Sequence, residues 1–278
     1  MKCMSKELMS ILPNSIRESV KRMELTDIQE IRLKIGCQGQ IRDRKENKLL
    51  PHWVLPEDLS FVINTASRYS PWNSGSAAKG YLTAPGGHRI GICGEGILDK
   101  GCVQGIRNPT SLCIRVAKEI QGVGEMVDLR DSLLIIGPPG SGKTTLLRDL
   151  IRRICQENRG YISVVDERGE IFPQIGGKSC FDSGSADVLT GCAKPEGIEM
   201  VLRSMGPNWI AVDEITAKQD CDALIQAGWC GVKLLATVHA GSVEDLMRRP
   251  VYRPLVESKL FRTGVLLSAD KQIERVVL

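Results

Sequence analysis

The residues with the clearest chemical potential form one glycine-rich run, Gly137-Pro138-Pro139-Gly140-Ser141-Gly142-Lys143-Thr144, which fits the pattern G-x-x-x-x-G-K-[ST]. Between a strand and a helix, such a loop turns its backbone amides toward the α- and β-phosphates of a nucleotide. The Lys143 ammonium would reach the β- and γ-phosphate oxygens, and the Thr144 hydroxyl would ligate Mg²⁺. The run, with Thr145 after it, therefore predicts a site for a nucleoside triphosphate and Mg²⁺.

Two acidic residues and a histidine are placed to act on a nucleotide in this loop. Asp213 fits the carboxylate that holds Mg²⁺ through its water shell, and Glu214 could orient and activate an attacking water. His239 ends another apolar run and could sense the γ-phosphate. A solvated acidic strand end and a structural histidine are the alternatives. The neighbouring phosphate loop favours the catalytic interpretation.

A second acidic run, Asp166-Glu167-Arg168-Gly169-Glu170, follows an apolar stretch that ends at Val165. Three carboxylates within five residues raise the local negative potential unless a cation or a water network accommodates them. Glu167 is therefore a further candidate catalytic residue. A solvated turn with an Asp–Arg pair explains the run equally well, and the sequence leaves both interpretations open.

A parallel sheet would bring these residues together. Leucines and isoleucines recur at helical spacing from Leu146 to Ile154, directly after the loop. Short apolar and β-branched runs predict strands that are buried on both faces, at 133–136, 161–165, 209–212 and 233–238. Ligands bind at the carboxyl ends of such strands, where the polar residues named above lie. The sequence thus predicts an α/β, RecA-like P-loop ATPase domain with a mostly parallel sheet at 123–278.

The residues before this domain predict a smaller mixed α/β domain at 1–122. We place the linker at Gln121-Gly122-Val123-Gly124, before a further helical stretch. The patterns predict helices at Asn14–Met23 and Glu57–Arg68, strands at 30–35 and 111–116, and a hairpin at 81–92 around Pro85-Gly86-Gly87.

Composition limits the class of protein. A net charge of +4 among 278 residues, with 4% aromatic residues, argues against a nucleic-acid partner. We find no apolar signal core and no uninterrupted apolar stretch of membrane-spanning length, so we expect a cytoplasmic protein without direct membrane insertion. Ten cysteines without a C-x-x-C pair predict reduced thiols and not a metal cluster.

The order of the motifs resembles that of the type II/IV secretion ATPases. The phosphate loop is followed by the acidic run, by a lead-in to Asp213 and Glu214 that contains Arg203, and by a histidine box that ends at His239. Nearly the whole chain also resembles the stage III sporulation protein AA family. That second resemblance rests on the segments 30–36, 85–91, 111–117 and 249–255.

The resemblance implies a cytoplasmic ATPase of endospore-forming bacteria that hydrolyses ATP with Mg²⁺. It implies a hexameric ring that energises a channel between mother cell and forespore, with membrane channel proteins as partners. It also implies an N-terminal domain that meets the nucleotide of the neighbouring subunit. Arg89, Arg107 and Arg115, which have no acidic neighbour adjacent in sequence, are candidates to reach those phosphates. Surface or intradomain pairing is the alternative for each of them.

Two departures leave the division of metal and base roles open. Secretion ATPases usually carry glycine where Asp213 stands and an arginine soon after the glutamate, whereas Ile215-Thr216-Ala217-Lys218 follows here. The acidic run has Arg168 in place of their proline. Two other functions also remain open at this point: a nucleotide-gated assembly scaffold with little turnover, and a nucleic-acid-directed P-loop ATPase.

Overall fold

The structure is a computed structural model that describes residues 6–23, 28–43, 46–67, 80–100, 102–175 and 177–278. It contains two compact units. Unit 1 comprises Met1–Lys118 and Pro173–Phe181, and unit 2 comprises Glu119–Phe172 and Asp182–Leu278. The division into domains at 122/123 stays a prediction.

Unit 1 is built on an antiparallel sheet, which among the described residues has six strands in the order β3-β2-β1-β6-β5-β4. Alternation creates its two faces: along β1, Ile31 and Leu33 are buried while Arg32 between them is exposed. The buried face packs with three helices. The strands are Ile28–Lys34 (β1), Gln38–Asp43 (β2), Asn47–Trp53 (β3), Tyr81–Ala84 (β4), His88–Asp99 (β5) and Cys102–Arg115 (β6), and the helices are Lys6–Ile11 (α1), Asn14–Arg22 (α2) and Pro56–Ser67 (α3).

The predicted elements of unit 1 are confirmed, with one extension. Both predicted helices form, although Arg68 lies outside the described residues. The predicted hairpin forms around a tight turn at Pro85–Gly87, where Gly86 and Gly87 have positive φ. Its second strand continues to Asp99 and pairs with β6 in a long hairpin. That extension was missed because its outer part is exposed on both faces and lacks apolar alternation.

Unit 2 is a mostly parallel α/β layer structure, as predicted. Its sheet runs β11-β8-β12-β13-β7-β14-β15 through the described residues, and only β14 and β15 pair antiparallel there. A small hairpin of Gln174–Ile175 (β9) and Lys178–Ser179 (β10) belongs to unit 1. The strands of the sheet are Leu133–Ile136 (β7), Ile162–Asp166 (β8), Asp187–Thr190 (β11), Trp209–Val212 (β12), Lys233–Val238 (β13), Thr263–Leu267 (β14) and Ile273–Val277 (β15).

The helices of unit 2 cover this sheet through apolar faces. Leu146, Leu147, Leu150, Ile151 and Ile154 of the first helix are all buried, which confirms the predicted helical face. The helices are Lys143–Gln156 (α4), Lys194–Ser204 (α5), Lys218–Trp229 (α6), Val243–Arg248 (α7) and Arg253–Glu257 (α8). Within the described residues, we find no helix with the length and hydrophobicity needed to span a bilayer.

The prediction of a helical stretch after the linker is wrong, because this segment forms turns. The buried Asp149 of α4 accepts hydrogen bonds from the amides of Gly122 (3.0 Å) and Gly124 (2.7 Å). Arg153 of the same helix donates to the carbonyls of Gly124 and Val127. A Cβ atom at Gly124 would lie 2.6 Å from Leu150 Cδ2, so glycine is needed for the close approach of this segment to α4. The segment is therefore held by hydrogen bonds to and from side chains of α4 and does not form a helix of its own.

Candidate functional site

The glycine-rich loop joins β7 to α4, as the sequence predicts. Gly140 and Gly142 have φ of 76° and 101°, a region that glycine adopts at low cost. A Cβ built at either residue would have no neighbouring atom within 4 Å. The Ser141 hydroxyl is buried without a hydrogen-bond partner among the described residues. An open concave turn at a helix N-terminus, with a spare buried hydroxyl, fits the phosphates of a nucleotide.

Lys143 closes the loop through its ammonium group. Its Nζ donates to the carbonyls of Gly137 (2.8 Å) and Pro138 (2.9 Å) and lies 2.9 Å from Nδ1 of His239. Burial lowers the pKa of Lys143, whereas the charges of Glu214 and Asp213 act to raise it. These three contacts are ones that phosphate oxygens could replace, since each uses a donor hydrogen of the ammonium group.

His239 connects Lys143 to Glu214. His239 Nε2 lies 3.1 Å from Glu214 Oε2, on the other side of the ring from Lys143. An ammonium group can only donate, so Nδ1 must accept and Nε2 must carry the proton that is donated to Glu214. The neutral Nε2–H tautomer satisfies all three groups. The histidine at the end of β13 is thus in hydrogen-bond contact with two of the predicted catalytic residues.

Asp213 lies beside the hydroxyls that the metal hypothesis requires. Thr144 Oγ1, in the first turn of α4, lies 3.4 Å from Asp213 Oδ2, and Thr237 Oγ1 donates to Oδ1 at 3.1 Å. A carboxylate and a hydroxyl are hard oxygen ligands of the kind that Mg²⁺ prefers. Asp213 and Thr144 are therefore the residues that would hold Mg²⁺ here.

The acidic run divides into a structural and a site-facing carboxylate. Asp166 is fully buried and accepts from the amides of Glu170 (2.8 Å), Ile171 (2.9 Å) and Phe172 (2.9 Å), so it is not a solvated side chain. Burial raises its pKa to about 6, against the opposing effect of these amides. Glu167 instead points to a cleft that Asp213 and Glu214 also line.

Two cations near this cleft were not predicted from the sequence. Lys194 Nζ lies 2.7 Å from Glu167 Oε2. Arg148 of α4 is mostly buried, which lowers its pKa, and donates to the Glu170 carbonyl at 3.3 Å. The available signal was a lysine at the first position of a helix, where the helix dipole disfavours a positive charge. The sequence Lys194-Pro195 indicates a helix N-terminus, but the sequence does not show that Glu167 lies beside Lys194.

The N-terminal arginines have partners that are distant in sequence. Arg107 Nε donates to Glu95 at 3.0 Å across the β5–β6 hairpin. Arg89 lies 4.1 Å from the centroid of the Tyr81 ring. Arg115 is opposite Glu30 in the sheet register. The lack of acidic neighbours in sequence therefore does not show that these arginines lack partners, because antiparallel pairing brings in neighbours from other strands.

Comparison with known proteins places the chain in a family. Residues 3–277 match the family described as "Sporulation stage III, protein AA". The chain belongs to this family. Stage III sporulation protein AA of Bacillus subtilis (strain 168) is 35% identical over 280 residues, which cover 95% of this chain and 91% of that protein. The resemblance to this family is thereby confirmed.

Solved structures show the fold of this sporulation family member. The pilus retraction motor PilT with bound ADP matches with a TM-score of 0.62 at 15% identity, covering 94% of this chain and 78% of that one. The ATPase DotB of Legionella pneumophila matches with a TM-score of 0.58 at 16% identity and the same two coverages. The chain shares the fold of these two proteins, which confirms the predicted RecA-like α/β fold class.

Proposed function

We propose that this protein binds ATP with Mg²⁺ and hydrolyses it. One observation carries the proposal: Lys143, Asp213, Glu214 and His239, which come from three separate parts of the chain, meet at the carboxyl ends of β7, β12 and β13. Side chains in this arrangement can bind phosphate, hold a cation and accept a proton.

Each residue has a proposed part in the reaction. The loop amides and Lys143 bind the phosphates, with the Lys143 ammonium exchanging its carbonyl partners for phosphate oxygens. Thr144 and Asp213 hold Mg²⁺, which when bound neutralises charge on the phosphates. Glu214 orients the attacking water and accepts its proton, while His239 Nε2–H holds the Glu214 carboxylate in place.

At the level of the cell, we propose that hydrolysis in a cytoplasmic hexameric ring energises a channel between mother cell and forespore. Membership in a sporulation family supports the setting. The secretion-ATPase fold supports the coupling to a membrane channel, and the match to a pilus retraction motor with bound ADP supports nucleotide-driven work. An N-terminal arginine acting on the neighbouring subunit's nucleotide is part of this proposal. No nucleic acid is required by it.

The test is Lys143→Ala. Because Lys143 is the loop's cation at the phosphate position, we expect weaker binding of fluorescent ADP and loss of phosphate release. Lys259→Ala, which removes an exposed lysine of unit 2, is the matched control and should keep wild-type values for both. Wild-type turnover in the Lys143 variant would contradict the assignment of the loop.

A further inference from the structure

Lys194 occupies a position that is unfavourable for a lysine. It is the first residue of α5, at the positive end of the helix dipole, and only 6% of its side chain is exposed. Lysine is rarely buried to this degree without an anionic partner. Its position therefore requires compensation from a nearby negative charge.

Close packing of α5 against β8 brings the negative charge of Glu167 to Lys194. The helix begins with Lys194-Pro195, and Gly197 in its first turn packs against the end of the strand. A Cβ at Gly197 would lie 2.5 Å from Val165 Cγ1, so only glycine allows this approach. The contact brings Lys194 Nζ to within 2.7 Å of Glu167 Oε2, the residue directly after β8.

The Lys194–Glu167 pair lies in a cleft with an excess of negative charge. Asp213, Glu214 and Glu170 line the same cleft, and Lys194 and Arg168 are the cations among its lining residues. The two members of the pair differ in exposure, with Lys194 buried and the Glu167 side chain 38% exposed. Glu167 could therefore reach solvent and a bound water if Lys194 did not hold it.

We propose that Lys194 is a positioning residue that holds Glu167 in an ion pair and so leaves Glu214 as the base. The inference rests on the proposed ATP hydrolysis and extends it. A carboxylate oxygen that already accepts a hydrogen from a buried ammonium is less available to accept one from water. The same pair removes one uncompensated negative charge from the cleft where the anionic nucleotide and Mg²⁺ must bind.

A double-mutant cycle tests this pairing in the full-length protein. The variants are Lys194→Met, Glu167→Gln and the two combined, with Lys259→Met as an exposed-lysine control. The readout is the affinity for fluorescent ADP at fixed Mg²⁺, with thermal melting to verify folding. Lys194→Met leaves Glu167 unpaired near the nucleotide and should weaken binding roughly tenfold, after allowing for the partial exposure of Glu167.

The other variants should respond in the opposite direction. Glu167→Gln leaves the ammonium unpaired and should tighten ADP binding. Because Lys194 acts through Glu167, Lys194→Met should change the affinity of the Glu167→Gln variant by less than about threefold, although it costs about tenfold in the wild-type background. An equal loss of affinity from Lys194→Met in the wild-type and Glu167→Gln backgrounds, or no loss in either, would show that Lys194 does not act through Glu167 and would overturn the proposal.

Phosphate release then distinguishes a failure of the proposed role of Lys194 from a failure of the proposed ATP hydrolysis. With Glu214 as the base, Glu167→Gln should keep turnover within about tenfold of wild type. A loss of roughly a hundredfold would make Glu167 the base and overturn the role of Lys194. If the wild-type protein itself releases no phosphate, proposed hydrolysis fails, whereas the binding cycle still decides whether Lys194 and Glu167 are coupled.

Discussion

At the scale of single residues, Asp166 and Glu167 show how neighbours in sequence acquire different chemistry. Asp166 is fully buried and accepts hydrogen bonds from three backbone amides. Glu167 instead faces the cleft and pairs with Lys194. Burial and hydrogen bonding, not residue type, separate the two carboxylates. Asp166 therefore fixes the turn after β8, and this turn determines where Glu167 lies.

The raised pKa of Asp166 predicts a pH dependence of stability. Burial raises it from 3.8 to about 6, so between these values the folded protein keeps a proton that the unfolded chain releases. The contribution of Asp166 to the free energy of unfolding should then fall as pH rises, by up to about 3 kcal/mol. Urea unfolding across this range should show the free energy of unfolding of wild type falling relative to that of Asp166→Asn as pH rises.

Asp270→Asn is the control for that measurement, because Asp270 is exposed in the same unit. It should follow the wild-type pH dependence. Parallel curves for wild type and Asp166→Asn would show that the three amide hydrogen bonds keep Asp166 ionised throughout the range.

Much of the site could be predicted at this scale, and for a physical reason. Asp213, Glu214 and His239 each follow an apolar strand, and parallel strands present their carboxyl ends at one edge. Side-chain pairing could not be predicted. Lys143 and His239 are 96 residues apart, and their contact depends on rotamers and on the depth of the loop, which local patterns do not encode.

At the scale of elements, the strands of unit 2 that were predicted correctly are those buried on both faces, whereas in unit 1 the half-buried β1 was predicted from its alternation. Trp209–Val212 and Leu133–Ile136 are entirely buried, so their sequences are continuously apolar. Asp187–Thr190, Thr263–Leu267 and Ile273–Val277 were missed. The first and last are edge strands with exposed polar residues, and all three lack a clear pattern because tertiary pairing, not local propensity, decides them.

Gly197→Ala tests the packing of α5 on β8. Alanine favours a helix by about 1 kcal/mol relative to glycine. Here, however, its Cβ would lie 2.5 Å from Val165 and 2.9 Å from Cys192 Sγ. We expect this overlap to prevail, with a net loss of about 2 kcal/mol in the free energy of unfolding.

Denaturant unfolding measures that loss, and Gly96→Ala is the control because a Cβ there would have no neighbour within 4 Å. The Gly96 variant should unfold like wild type. A Gly197 variant as stable as wild type would mean that α5 can move away from β8 at little cost, and that its position does not fix the Lys194–Glu167 pair.

At the scale of the whole molecule, the two units differ in the chemistry they offer. The residues that we propose to bind and hydrolyse ATP lie in unit 2. Unit 1 has a sheet with Arg89 and Arg115 opposite each other in neighbouring strands. In the proposed ring, such an arginine acts on the next subunit's nucleotide. Turnover per subunit should accordingly rise with protein concentration until rings form.

The most direct measurement is steady-state phosphate release from ATP by wild type and Glu214→Gln, with nucleotide binding measured alongside. We expect wild type to hydrolyse ATP and Glu214→Gln still to bind it. Its turnover should be slower by roughly a hundredfold or more, because the amide keeps the shape of Glu214 but cannot accept a proton from water. Absence of turnover in wild type over the full concentration range, or wild-type turnover in Glu214→Gln, would contradict it.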